Sequence, residues 1–177
     1  WDNNLQAKVI DHVPVVRSNN DQVDMILKTS VEQIKLLNTE MTLYTDGSAA
    51  EGTRNGGAAV IVTSGNPEDP IVQEVLKIKG ATHTCSYAEE SSAMMSAANW
   101  IADNTMHHTG PATEVGIVTD SQSLCKALLS RNPDVDPSRQ ERNRCKVNGT
   151  IKSVPGHAVT QGNGAASQAR KQACTLE

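Results

Sequence analysis

The pattern of polar and apolar positions separates an irregular N-terminal stretch from a regular domain. Residues 1–22 are polar, aperiodic and interrupted by a proline, which favours a linker or irregular arm. The stretch "SVEQIKLLN" at 30–38 has a serine and a glutamine at capping-box spacing, and its apolar residues fall near one helical face. We therefore predict a linker with a short helix over residues 1–40 and one regular domain over residues 41–177.

Three apolar stretches with short connections predict an antiparallel meander at the start of this domain. They read "MTLYTD" (41–46), "GGAAVIV" (56–62) and "IVQEVLKIKG" (71–80). The third stretch alternates, which places Val72, Leu76 and Ile78 on one face of the predicted strand.

Helices and strands alternate in the rest of the chain. The pattern predicts helices over 86–103, 121–130 and 165–176, and strands over 115–120 and 149–154. This order predicts an α/β fold in which helices pack on a mixed five-stranded sheet.

Two of the predicted strands end in Thr-Asp. Asp46 ends "TLYTD" and Asp120 ends "VGIVTD". Aspartate is depleted in strands, and ligands of open α/β sheets bind at the carboxyl ends of the strands, so the two carboxylates could lie side by side there. Each also has an ordinary interpretation, Asp46 as a turn residue and Asp120 as the N-cap of the following helix.

The predicted helix over 86–103 carries a third acid on its apolar face. Glu90, Met94, Ala97 and Ile101 are spaced at i, i+4, i+7 and i+11 and share one side of the helix. An acid near a helix N-terminus also favours the helix dipole, which is the simpler interpretation. Together with the two aspartates, Glu90 completes the type of acid cluster that divalent metal ions require.

The charge distribution favours a cation site beside a phosphate-binding surface. The formal net charge is −4, yet residues 126–177 contain nine basic and four acidic residues, whereas residues 42–125 contain three basic and ten acidic residues. An ordinary solvated surface is the alternative for the basic residues. The four cysteines are widely spaced, which indicates neither a zinc site nor a disulfide framework.

Four motifs lie in order along the chain, "LYTDGS" (43–48), "SYAEESSAMMSA" (86–97), "VTDSQSL" (118–124) and "VPGHA" (154–158). Together they resemble the ribonuclease H family over about residues 41–176, most of all the domains in reverse-transcriptase polyproteins of non-LTR retrotransposons. The resemblance implies the ribonuclease H-like α/β fold, with the five strands in the order 3-2-1-4-5.

The resemblance also implies roles for individual residues. The metal-binding acids of the family fall on Asp46, Glu90 and Asp120, with Glu89 as a rival for the second position. The loop histidine falls on His157, which would assist proton transfer or product departure. The family usually continues with Gly-Asn-Glu-x-x-Asp, but here the chain reads "GNGAAS", so Ser167 occupies the position of the fourth metal-binding carboxylate.

The implied reaction is endonucleolytic hydrolysis of the RNA strand of an RNA–DNA hybrid by two Mg²⁺ ions, for which Mn²⁺ would substitute. Ser48 and Gln122 are candidates for reading the 2′-OH. A basic cluster would bind phosphates of the DNA strand. It consists of Arg139, Arg142, Arg144 and Lys146.

The implied partners are the hybrid and a reverse-transcriptase domain of the same polyprotein, with the isolated domain monomeric. Since no run of about 18 apolar residues occurs, we expect no membrane partner and an intracellular location, in the cytoplasm or the nucleus. Two alternatives remain open. One is a weakened or inactive domain that binds hybrids or has a structural role, and the other is a different nuclease or an integrase of the same fold.

Overall fold

The computed structural model describes residues 6–10, 20–50, 53–105, 113–131, 147–153 and 161–175. The strands are β1 (Gln6–Ile10), β2 (Met41–Ala50), β3 (Arg54–Ser64), β4 (Ile71–Lys79), β5 (Thr113–Thr119) and β6 (Val147–Ser153). The helices are α1 (Asn20–Lys35), α2 (Ser86–Thr105), α3 (Gln122–Arg131) and α4 (Gln161–Ala173).

The strands form one mixed sheet in the order β1-β6-β5-β2-β3-β4. The β2, β3 and β4 strands pair antiparallel, as expected for a meander, whereas β5 pairs parallel with both β2 and β6. The α/β fold with a mixed sheet flanked by helices is therefore confirmed.

The N-terminal stretch differs from the prediction of an irregular arm. Gln6–Ile10 forms β1, which pairs parallel with β6, so the described residues form six strands, where five were predicted. The helix predicted over 30–38 is longer and begins at Asn20. The first forty residues thus contribute a strand and a helix to the fold.

Alternating side chains of the central strands supply two cores, one on each face of the sheet. In β2, Leu43 faces α2 and α3, and the adjacent Tyr44 faces α1 and α4. The first core includes Leu43, Val60, Val62, Met94, Ala97, Ile101, Val115, Ile117 and Leu124. The second includes Ile34, Tyr44, Ala59, Ile61, Val118, Ala166 and Ala169. Helices therefore pack on both faces of the sheet.

The strand predicted over 71–80 has an irregularity that its sequence pattern does not reveal. The pairing of β3 with β4 shifts between Val62 and Thr63, so that Val62 pairs with Glu74 and Thr63 with Val72. A shift of one residue exchanges the two faces of a strand. Val72 therefore lies on the opposite face from Leu76, and it is 50% exposed.

No helix among the described residues is long and apolar enough to cross a lipid bilayer.

Candidate metal centre

Asp46 and Asp120 are adjacent because they directly follow the last residue pair of two parallel strands. Thr45 of β2 pairs with Thr119 of β5, and the chain continues from each threonine to an aspartate. The sequence analysis predicted that Asp46 ends its strand, but the strand continues to Ala50. Asp46 is also not a turn residue. It lies within β2, which goes on pairing with β3 beyond the point where β5 stops.

Glu90 comes to this position because the first turns of α2 pack closely against β2. A Cβ atom at Gly47 would collide with the backbone of Glu89 and Glu90, so only glycine allows this approach. The Ala49 amide donates to Ser86 Oγ at 3.4 Å, which connects the start of α2 to the same strand.

The three acids form one compact cluster. One carboxylate oxygen of each of Asp46, Glu90 and Asp120 lies within 4.8 Å of the other two. Glu90 is the most buried of them, with 9% of its surface exposed. Three carboxylates at this separation repel one another unless they are protonated or a cation lies between them.

The repulsion and the burial change the proton affinity of two of these acids. Burial, followed by the negative charges of Asp120 and Asp46, raises the pKa of Glu90 to about 9, although a hydrogen bond from the Gly47 backbone opposes the change. Burial and then the charge of Asp46 raise the pKa of Asp120, and the nearby Arg170 partly offsets this. The protein alone therefore favours keeping a proton in the cluster at neutral pH.

The cluster also contains oxygen atoms without a protein partner. Glu90 Oε2 and Asp120 Oδ1 are buried, and neither has a hydrogen-bond partner among the described residues. An unpartnered buried carboxylate oxygen is costly. Because hard divalent cations such as Mg²⁺ bind carboxylate oxygens, the donor set fits such an ion.

Glu89 does not join the cluster, although it is the immediate neighbour of Glu90. Its side chain is 4% exposed, and its carboxylate lies against the backbone of Gly56 and Gly80. A Cβ atom at either glycine would overlap this carboxylate. Successive residues of a helix point about 100° apart, which explains why only one of the two glutamates faces the aspartates.

The α4 helix supplies the fourth side of the cluster. It begins at Gln161, earlier than the predicted residue 165, so Ser167 lies in the middle of the helix. Gly162 packs against the ring of Tyr44, which brings α4 close to β2. The residue of α4 that contacts the cluster is a basic residue one turn after Ser167.

Arg170 contacts the cluster, and the sequence analysis did not identify it. Its Nε donates to Asp46 Oδ2 at 2.9 Å, and its Nη2 donates to Ser167 Oγ at 3.4 Å. The sequence signal for this position of Arg170 is that it lies among the small residues Ala166, Ala169 and Ala173, which are buried in the core of the domain. An arginine beside such positions lies where the helix meets the sheet.

The other predicted site residues divide into two groups. Ser48 and Gln122 are half-buried, two residues after Asp46 and Asp120 respectively. The remaining candidates lie outside the described residues. They are His157, Arg139, Arg142, Arg144 and Lys146.

Comparison with known proteins gives a family match over most of the chain. Residues 38–175 match the family described as RNase H. No curated protein matches the chain significantly by sequence.

Solved structures share the fold at low sequence identity. RNase H1 from the halophilic archaeon Halobacterium salinarum NRC-1 aligns with a TM-score of 0.51 and 20% identity, over 75% of this chain and 98% of its own. LC11-RNase H1, isolated from compost, was solved in complex with an RNA/DNA hybrid and aligns with a TM-score of 0.51 and 16% identity, over 76% and 99%. Prototype foamy virus protease-reverse transcriptase aligns with a TM-score of 0.54 and 20% identity, over 78% of this chain and 21% of its own. With the fold, the acid cluster and a family match that covers well over half of its length, the chain belongs to the RNase H family.

Proposed function

We propose that this domain cleaves the RNA strand of RNA–DNA hybrids endonucleolytically. The observation that carries the proposal is the convergence of Asp46, Glu90 and Asp120, with two buried oxygen atoms that have no protein partner. Membership of the RNase H family supports the same reaction.

The cofactor that we propose is Mg²⁺, as two ions, with Mn²⁺ as a substitute. Asp46, Glu90 and Asp120 would hold the ions. When bound, the ions supply activation of the attacking water and stabilisation of charge on the leaving 3′ oxygen. Ser167 offers only a neutral hydroxyl at the fourth position, so it would hold an ion weakly.

The remaining roles concern the substrate and the proton. His157 would assist proton transfer or product departure. Ser48 and Gln122 would contact the 2′-OH, because each lies two residues after one of the two clustered aspartates. The basic cluster of Arg139, Arg142, Arg144 and Lys146 would bind phosphates of the DNA strand without reading its sequence.

We further propose that the domain, residues 41–177, belongs to a non-LTR retrotransposon polyprotein inside the cell, in the cytoplasm or the nucleus. The reverse-transcriptase domain of that polyprotein would be its partner, and the isolated domain would be a monomer. The similarity to part of prototype foamy virus protease-reverse transcriptase supports a connection with reverse transcription. The segment before residue 41 would precede the part of the chain that carries the catalytic residues, and its β1 and α1 belong to the same fold.

A panel of end-labelled substrates tests the reaction. With Mg²⁺, the domain should cut the RNA strand of a hybrid at internal positions and leave single-stranded RNA, RNA duplex and DNA duplex intact. Cutting of the DNA duplex would instead support the alternative of another nuclease with the same fold.

A second candidate function is a weakened domain that binds hybrids without cutting them. The ion pair between Arg170 and Asp46, together with the neutral Ser167, favours it. In that case the hybrid would bind with ordinary salt dependence, and no cleavage would appear with either Mg²⁺ or Mn²⁺.

A further inference from the structure

Arg170 forms an ion pair with Asp46, which is a ligand of the proposed metal centre. Its Nε lies 2.9 Å from Asp46 Oδ2, and the two side chains are only 17% and 14% exposed. A charge-assisted hydrogen bond of this length, largely shielded from solvent, is stronger than a surface ion pair. Asp46 therefore already has a cationic partner in the folded protein.

Ser167 helps to keep the guanidinium in this position. The serine is one turn before Arg170 on α4 and accepts a hydrogen bond from Nη2 at 3.4 Å. Nε and Nη2 are thus engaged by two different residues. Arg170 therefore brings a cationic group to the cluster of carboxylates.

The charge balance of the cluster follows from this contact. Three carboxylates with one arginine have a formal charge of −2 when all are ionised, which a single divalent ion neutralises. A second divalent ion on Asp46 would meet the guanidinium at ion-pair distance, where like charges repel strongly. Arg170 and a second ion therefore exclude one another at Asp46.

We propose that Arg170 is a resident cation that competes with a divalent metal ion for Asp46. With Arg170 in place, the site binds one ion. Binding of another requires the guanidinium to leave Asp46 and Ser167. This inference rests on the proposed metal centre. It states that Arg170 of α4 controls the affinity of that centre for metal ions.

The competition is tested by adding Mn²⁺ to the metal-free protein in the absence of substrate. Electron paramagnetic resonance measures the number of bound ions and their affinity. Arg170→Gln should bind Mn²⁺ at least about tenfold more tightly than the wild type and should take up a second ion, because it removes a like charge at contact distance. Lys171→Gln is the matched control, since Lys171 is the next residue of the same helix and is exposed. It removes the same charge, and its effect should stay below about threefold because solvent screens it.

A second measurement uses the unaltered protein and does not depend on whether a variant folds. The Arg170 Nε–H proton, hydrogen-bonded to Asp46, should exchange slowly with water and give a nuclear magnetic resonance signal in the absence of metal. The first Mg²⁺ ion should leave this signal in place, whereas Mg²⁺ at a concentration that loads a second ion should shift the signal and speed its exchange. An Nε–H signal that is unaffected when two ions are bound would contradict displacement.

The outcomes separate this inference from the proposed function. Equal Mn²⁺ binding by the wild type, Arg170→Gln and Lys171→Gln, with binding lost in Asp46→Asn, would overturn the competition and leave the metal centre in place. No Mn²⁺ binding by any of these proteins would overturn both.

Discussion

Glu89 and Glu90 are consecutive residues of α2 and face different surroundings. Glu90 lies with Asp46 and Asp120, whereas the Glu89 carboxylate packs against the backbone of Gly56 and Gly80. Both side chains are buried, so burial alone does not distinguish them. The direction of each side chain decides which acid is available to a metal ion.

This difference predicts that the two isosteric substitutions have unequal effects. Glu90→Gln should lower Mg²⁺-dependent hybrid cleavage by at least about a hundredfold, since it removes an anionic ligand from the metal centre. Glu89→Gln should leave the rate within about fivefold, because its carboxylate does not reach the cluster. Initial rates at saturating Mg²⁺ would compare the two, with circular dichroism to verify folding. Loss of cleavage in a folded Glu89→Gln protein would exchange the assignments.

The raised pKa of Glu90 predicts a pH dependence of stability in the metal-free protein. In the unfolded chain Glu90 ionises near its ordinary pKa of 4.5, whereas in the folded domain it keeps its proton up to about 9. Between these values the unfolded state binds fewer protons, so this group makes the free energy of unfolding fall as the pH rises. Urea denaturation in the presence of a chelator, at intervals across this range, measures the effect.

Glu90→Gln provides the reference for that experiment because a glutamine has no proton to lose. The stability of the wild type relative to this variant should decline from pH 5 to pH 9. Saturating Mg²⁺ should reduce the decline, since the ion binds the ionised carboxylate. Parallel stability curves for the two proteins would be incompatible with a raised pKa at this position.

Ser167→Asp should raise Mg²⁺-supported cleavage and lower the Mg²⁺ concentration required. The new carboxylate adds an anionic ligand at the position where the family has one. It would also attract Arg170, three residues further along α4, away from Asp46. Because Ser167 lies in the middle of α4, the helix dipole contributes little to the effect.

The effect of this substitution should be larger with Mg²⁺ than with Mn²⁺, which depends less on hard carboxylate ligands. Ser167→Asn is the control, because asparagine has the same shape as aspartate and carries no charge. Titration of cleavage against each metal gives the comparison. If the aspartate and asparagine variants had the same activity, the fourth carboxylate would be irrelevant in this chain.

Much of the acid cluster was predictable because it depends on local patterns. The buried positions of Met94, Ala97 and Ile101 confirm the face on which the sequence places Glu90. Asp46 and Asp120 each follow an apolar stretch that ends in threonine, and these two stretches become parallel neighbours in the sheet.

The features that were missed depend on contacts between distant parts of the chain. β1 gains its hydrogen bonds from β6, about 140 residues away, and five residues contain no local signal of that pairing. The Arg170–Asp46 contact joins residues 124 positions apart. Val72 lies on the opposite face from Leu76 because of a register shift, which the alternation of its own strand does not reveal.

Neutralisation of the basic cluster should weaken hybrid binding and flatten its salt dependence. Each lost phosphate contact lowers the slope of log K against log salt by about one. Affinity should be measured for the wild type and for a variant with Arg139, Arg142, Arg144 and Lys146 all replaced by glutamine, at several salt concentrations and without divalent metal. An unchanged slope would assign these residues to an ordinary solvated surface.

The central claim is that the cluster around Asp46 cleaves RNA in a hybrid with the help of divalent metal. The most direct test is the cleavage rate of an end-labelled RNA–DNA hybrid, measured with Mg²⁺ and with Mn²⁺ for the wild type and for Asp46→Asn. We expect internal cuts in the RNA strand by the wild type and none by the folded variant. Equal cleavage by the two proteins, or no cleavage by the wild type with either metal, would contradict it.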